Sequence, residues 1–130
     1  MTETLQKRAS SEGPLPFSDF MAAALYDPDH GYYSAAESVR TGRSGDFFTN
    51  VSVGPLFGQL IAERAHQLWQ HLNCPGSLTL VEPGAHDGTL ASDILTAAAR
   101  KSPDFSSALQ YHLIESSSAL RARHAMRLGG

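Results

Sequence analysis

Apolar residues recur with helical spacing in several stretches of the chain and cluster in two short segments of strand character, and their order predicts the architecture. Phe20, Met21, Ala24 and Leu25 share one face of a helix over residues 19–26 that Ser18 can cap. Asp27-Pro28-Asp29 ends it, because a proline pushes its predecessor out of helical geometry. A longer stripe of Val53, Leu56, Phe57, Leu60, Ile61, Ala65, Leu68, Trp69 and Leu72 predicts a helix over 53–72, with Glu63, Arg64 and Gln67 on its polar face and Trp69 in the core. Asn73, Pro75 and Gly76 stop it. Residues 78–81 then read as a buried strand, 84–88 as a tight turn, and 89–100 as a helix with Leu90, Ile94, Ala97 and Ala98 on one face. A polar insert, 101–107, precedes a second strand at 109–114. Residues 116–118 offer caps for a last helix carrying Leu120 and Leu128. Strand, helix, strand, helix in that order implies a parallel pair joined by a crossover.

Two regions lack such periodicity. Residues 1–13 are polar and read as a flexible tail. Residues 30–52 are long, polar and glycine-rich, with Gly31-Tyr32-Tyr33 and Gly45-Asp46-Phe47-Phe48-Thr49 set inside them. A loop of that length in a compact domain is a functional loop or a surface loop anchored by its aromatics, and both readings stand at this point.

Composition removes several function classes. A chain of 130 residues with 42% apolar and 18% charged positions holds one ordinary globular core. A net charge of −3 provides no basic field for nucleic acid, and no apolar run approaches the ~20 residues of a membrane span. The N-terminus mixes Glu3 and Glu12 with Lys7 and Arg8, unlike a signal peptide or an acid-poor transit peptide, and the single cysteine, Cys74, has no internal partner. These features predict a cytoplasmic location over the mitochondrial matrix. His66 and His71 are five apart, which does not put two ligands on one helix face, so no metal site is expected. His124 lies among Arg121, Arg123 and Arg127 and reads as part of a solvated face or helix end. No nucleophile elbow supports a Ser-His-Asp hydrolase.

The informative segment is Val81-Glu82-Pro83-Gly84-Ala85-His86-Asp87-Gly88-Thr89-Leu90, which leaves a strand and enters a helix. Glycine lets the chain turn sharply and approach a ligand, and the amides of the helix start are expected to face that ligand. A dinucleotide turn needs glycine at its first, third and sixth positions, where this chain has Gly84, His86 and Thr89. The turn of class I methyltransferases has an acidic residue and then glycine at every second position; here that frame holds Glu82, Gly84, His86 and Gly88, matching at all but His86. The second strand ends in Glu115, placed as an acid that binds ribose hydroxyls would be. Its alternative is a helix-capping or solvent-facing carboxylate.

These residues resemble the N-terminal part of the MidA-like methyltransferases, a family that includes a mitochondrial arginine methyltransferase assisting complex I assembly. The likeness spans residues 13–128. It rests on Gly13-Pro14-Leu15-Pro16-Phe17 with Phe20-Met21, and on Leu25-Tyr26-Asp27-Pro28 running to Gly31-Tyr32-Tyr33. Further segments are Gly45-Asp46-Phe47 with Thr49, Phe57-Gly58, the turn with Leu90-Ala91 and Asp93-Ile94-Leu95, and Ile114-Glu115-Ser116 with Leu120-Arg121. The resemblance implies an α/β, Rossmann-like class I methyltransferase fold, here its N-terminal part. That part is a flexible tail over 1–13, a helical and loop lead-in over 14–76 covering the cofactor site, and a first βαβα unit over 77–130 with an incomplete sheet. It implies S-adenosyl-L-methionine as cofactor and a protein arginine as a possible acceptor. The cofactor set it suggests is Glu82, Gly84, Ala85, His86, Gly88 and Glu115, with Asp46 and Thr49 closing the loop over the sulfonium end. Glu82 is expected to order the turn through backbone hydrogen bonds, and no catalytic base is assigned.

Three departures qualify the likeness. His86 replaces the family's central glycine. Asn50-Val51-Ser52-Val53-Gly54 replaces the family's Ser-Pro-Glu-Ile-Ser, removing an acid. The chain supplies two strands of a larger sheet, which predicts a fragment needing its C-terminal half or a second copy as partner. Two other classes remain beside this one, an inactive remnant serving as an interaction module and a dinucleotide-binding oxidoreductase fragment.

Overall fold

The computed structural model describes residues 2–34 and 49–129. Two strands, β1 (Leu78–Pro83) and β2 (Leu109–Ile114), pair in parallel with Leu78 opposite Leu109 and Pro83 opposite Ile114. Side chains alternate across the pair: Leu78, Leu80 and Glu82 are half-buried, and Thr79, Val81 and Pro83 face outward. Period-two alternation with one covered face accounts for this pattern. Val81 and Ile114 remain about half exposed on the open face.

The crossover between the strands is α4 (Thr89–Lys101), followed by the short α5 (Pro103–Ala108). Packed on α4 is α3 (Leu56–His71), preceded by a 3₁₀ turn at Asn50–Val53. Ala65 and Trp69 of α3, Ala98 of α4, and Phe105 and Ala108 of α5 form the core, with Leu78 and Leu109 packed against them. Phe105 is fully buried, with ring centroids of His66 and Trp69 at 5.2 and 5.7 Å. The Trp69 indole donates from Nε1 to the Pro75 carbonyl at 2.8 Å, which satisfies its one polar atom. The chain starts with α1 (Thr2–Glu12) and α2 (Phe17–Tyr26) and finishes with α6 (Ser118–Leu128).

Several sequence expectations change. Residues 1–13 contain a helix instead of a flexible tail: strong helix formers fill it, Arg8 pairs with Glu12 at 3.5 Å, and Gly13 at φ 90 terminates it. The polar insert folds as α5, because the Ser102 hydroxyl accepts from the Phe105 amide and Pro103 sits at the first turn. Ser18 does not cap α2; Pro16 occupies that position, and the Ser18 hydroxyl bonds Asp19 instead. The third helix starts at Leu56 rather than residue 53, since Gly54 at φ 138 breaks helical geometry. Its buried line is Gly58, Ala62, Ala65 and Trp69, while Leu56, Leu60, Leu68 and Leu72 are exposed. Small residues allow close approach here: a Cβ on Gly58 would lie 2.5 Å from the Asp93 Cβ.

Candidate functional site

At the C-terminal end of β1 the chain turns through residues 84–88 beside the end of β2, where ligands of open α/β sheets sit. Gly84 (φ 71), His86 (φ 49) and Gly88 (φ 81) all adopt left-handed conformations, so the turn demands this geometry at a position where the sequence has an imidazole instead of a glycine. A cavity of about 710 Å³ opens there, within the range of small-molecule sites. Glu82, Gly84, Ala85, His86, Glu115 and Thr49 line it, so the fold gathers six of the residues picked from sequence. Gly88 is not in its wall; it is buried against α6. Asp46 lies outside the described residues.

The turn amides do not point freely into this space. Gly84 and Ala85 both donate to the Ile114 carbonyl, at 2.7 and 3.1 Å, and Gly88 donates to Ala85 at 2.9 Å. The His86 amide donates to Glu115 Oε2 at 2.8 Å, and the Thr89 amide to Asp87 Oδ1 at 3.1 Å. Five of the six amides from Gly84 to Thr89 are thereby taken within the chain, contrary to the expected amide nest.

Carboxylates dominate the polar wall, with Glu82, Asp87 and Glu115 all lining the cavity. Glu115 bridges the turn and the last helix, accepting from the His86 amide on Oε2 and from the Ser117 amide on Oε1 at 2.8 Å. Glu82 binds the Tyr111 hydroxyl at 2.7 Å, a cross-strand side-chain contact in place of the expected backbone bonds. Burial raises the pKa of Glu82, and the Asp87 charge adds to that; burial together with Glu82 raises that of Tyr111. Asp87 is held well below the usual carboxylate range by the His86 ring, the Thr89 hydroxyl and amide, and Arg127.

Aromatic and loop residues complete the enclosure. Tyr26 and Tyr33 line the cavity with rings stacked at 5.7 Å. The Tyr33 carbonyl accepts the Ser117 hydroxyl at 2.7 Å, anchoring the lead-in to the start of α6. Thr49 pairs with Ser52 across the 3₁₀ turn at 3.0 Å, and both reach the cavity. Sequence reasoning missed Asp87, Tyr26, Tyr33 and Ser52 as wall residues. The Asp87-Gly88-Thr89 spacing, with a side-chain acceptor two residues before a helix amide, was the available signal for Asp87.

A glycine turn between a parallel strand and its crossover helix, with an acid at the end of each strand, defines a Rossmann-like nucleoside-binding unit. Residues 60–130, more than half of the chain, match the family described as "Putative S-adenosyl-L-methionine-dependent methyltransferase", and the chain belongs to that family. It is 31% identical over 127 residues to the Drosophila melanogaster homolog of the mitochondrial protein arginine methyltransferase NDUFAF7, covering 98% of this chain and 28% of that protein. Against the Xenopus tropicalis NDUFAF7 the identity is 33% over 124 residues, covering 95% and 28%. A Burkholderia thailandensis protein provisionally assigned as a methyl transferase, crystallised with S-adenosyl-homocysteine, superposes with a TM-score of 0.75 at 34% identity, covering 98% of this chain and 32% of that one. The chain therefore spans under a third of the length of these relatives. The expected cytoplasmic location is overturned, because these curated relatives, the human one included, are named as mitochondrial proteins.

Proposed function

We propose that this chain forms the cofactor-binding part of an S-adenosyl-L-methionine-dependent methyltransferase acting on a protein arginine. One observation carries the reading: the cavity at the glycine turn is walled by Glu82, Asp87 and Glu115 while five of the six turn amides are already occupied. A pyrophosphate needs free amides and no nearby negative charge, so a dinucleotide is disfavoured on both counts. A ligand carrying a sulfonium and an ammonium is attracted by the same wall. The matching family and the S-adenosyl-homocysteine-bound relative support this choice of cofactor. The names of the curated relatives support a protein arginine as acceptor.

When bound, the cofactor supplies an electrophilic methyl group for in-line displacement, a reaction in which the protein mainly positions and excludes water. Glu115 is assigned to the ribose hydroxyls. Each of its oxygens already accepts one backbone amide and keeps a second lone pair. Those two bonds fix the carboxylate, so no rotamer freedom is lost on binding. Asp87 and Glu82 set the negative potential; Gly84, Ala85 and the His86 backbone shape the wall. Tyr26 and Tyr33 offer π faces to a cation, and Thr49 and Ser52 offer hydroxyls from the loop side. Gly88 contributes by taking the left-handed φ of 81 that leads the turn into α4.

Calorimetric titration of the chain with S-adenosylmethionine and S-adenosylhomocysteine, with NAD as control, tests this. Saturable binding of the first two and none of NAD is expected. Equal or preferred NAD binding would refute the assignment.

A further inference from the structure

His86 brings two costs to the turn. Its backbone is left-handed at φ 49, which L-residues avoid, and its ring Nε2 is buried without a hydrogen-bond partner among the described residues. Both costs fall in the wall of the cavity, so something must hold this residue in place. The contacts across the turn come from α6. His124 Nε2 lies 2.7 Å from the His86 carbonyl oxygen and donates to it, since a carbonyl can only accept. One turn further on, Arg127 donates from Nε to the Asp87 carbonyl at 3.2 Å and from Nη2 to Asp87 Oδ2 at 2.7 Å. The next residue, Gly88, is itself left-handed at φ 81 and packs against the same two side chains of α6.

We propose that His124 and Arg127 form a clamp that holds the turn in its left-handed shape in spite of His86, and that they are positioning residues for the cofactor cavity. The proposal rests on the cofactor reading above. Neither residue lines the cavity, so neither touches the ligand; they act through the carbonyls of His86 and Asp87. Drawing those carbonyls toward α6 keeps the His86 amide turned to Glu115, the residue assigned to ribose. In this arrangement the clamp is the counterpart of a side chain at a glycine-favouring position. It becomes dispensable if that position is returned to glycine.

This second-site rescue separates the clamp from ordinary packing. In the full chain, His124→Leu with Arg127→Met is expected to weaken S-adenosylmethionine binding about tenfold, the size set by losing a hydrogen bond with a charged partner. Amide hydrogen exchange at residues 86–88 should quicken. Adding His86→Gly should restore most of the affinity and the amide protection, because glycine adopts the turn without strain. Unchanged binding and exchange after clamp removal would overturn the proposal, as would a loss that His86→Gly leaves unrepaired. If the unmodified chain binds no S-adenosylmethionine, the cofactor reading fails by itself. The clamp then stands or falls on the exchange rates alone, which must rise in the double variant and return in the triple one.

Discussion

Gly31 is buried in the lead-in, and replacing it by alanine tests how the cavity wall is built. A Cβ there would lie 2.4 Å from the Asp27 amide nitrogen, 2.6 Å from the Asp27 oxygen and 2.7 Å from the Tyr26 carbonyl carbon. All are backbone atoms, so no side chain can rotate away, and the segment must open. Opening breaks Gly31 N–H to Asp27 at 2.8 Å, Tyr32 N–H to Ala24 at 2.9 Å and Tyr33 N–H to Leu25 at 2.8 Å. At about 1 kcal/mol each, the loss is about 3 kcal/mol, or about two decades in a local equilibrium. The α2 helix has no buried residue and the lead-in is tied to α6 through the Tyr33–Ser117 bond, so the cost falls on this unit and not on the α3–α4–α5 core. Gly31→Ala should therefore leave the thermal midpoint followed by circular dichroism nearly unchanged. It should speed amide exchange at residues 31–33 by about a hundredfold. With Tyr26 and Tyr33 displaced from the wall, S-adenosylmethionine should bind about tenfold more weakly. Gly76→Ala is the matched control, since nothing lies within 4 Å of its Cβ position; it should be neutral or stabilise by up to about 1 kcal/mol. Wild-type protection and affinity in Gly31→Ala would refute the reasoning.

Other substitutions probe the core and the carboxylates. Phe105→Ala should cost about 3–5 kcal/mol by denaturant unfolding, a large part of a small domain's stability, because the ring is fully buried against Trp69 and His66; a loss under 1 kcal/mol would contradict the packing. Glu82 has a raised pKa, so it takes up a proton above the ordinary 4.5. Calorimetry across mildly acidic pH should show S-adenosylmethionine affinity falling earlier than for an ordinary carboxylate, with Glu82→Gln removing that dependence. The same raised value means charged Glu82 opposes folding above its folded pKa, so the glutamine variant should be no less stable at neutral pH. Asp87 has a depressed pKa; its stabilisation is complete above its ordinary 3.8 and is lost as the pH falls through the lower folded value. Asp87→Asn should cost about 1–2 kcal/mol at neutral pH, measured by urea unfolding, and flatten the loss of stability below that point.

The strands and the turn were legible because each is short and bounded by strong punctuation. The second strand occupies Leu109–Ile114 as expected, and the first extends through Glu82 and Pro83 because pairing with Leu113 and Ile114 continues that far. Trp69 is buried as expected. The misreadings came from treating polarity as looseness. Ser102-Pro103-Asp104 is a helix start, and Phe105 behind it is the largest fully buried side chain among the described residues, yet the surrounding serines hid both. In α3, counting large apolar residues favoured Leu56 and Leu60, whereas the packed line is set by Gly58 and Ala62, where helix backbones can meet. At the site, local spacing singled out Glu82, His86 and Glu115, which line one cavity. It could not show that Glu115 would occupy a turn amide, because residues 29 apart meet only through the strand register.

Trp69 is the single tryptophan of the chain, its indole bonded to the Pro75 carbonyl and packed beside Phe105, and it is not among the residues of the cavity wall. Its fluorescence is therefore a built-in optical gauge of the core alone. Emission should stay constant while a ligand fills the cavity or the Tyr26–Tyr33 wall opens, and should shift to longer wavelength only when α3, α4 and α5 separate. One spectrometer trace then tells a variant that cannot bind from one that cannot fold.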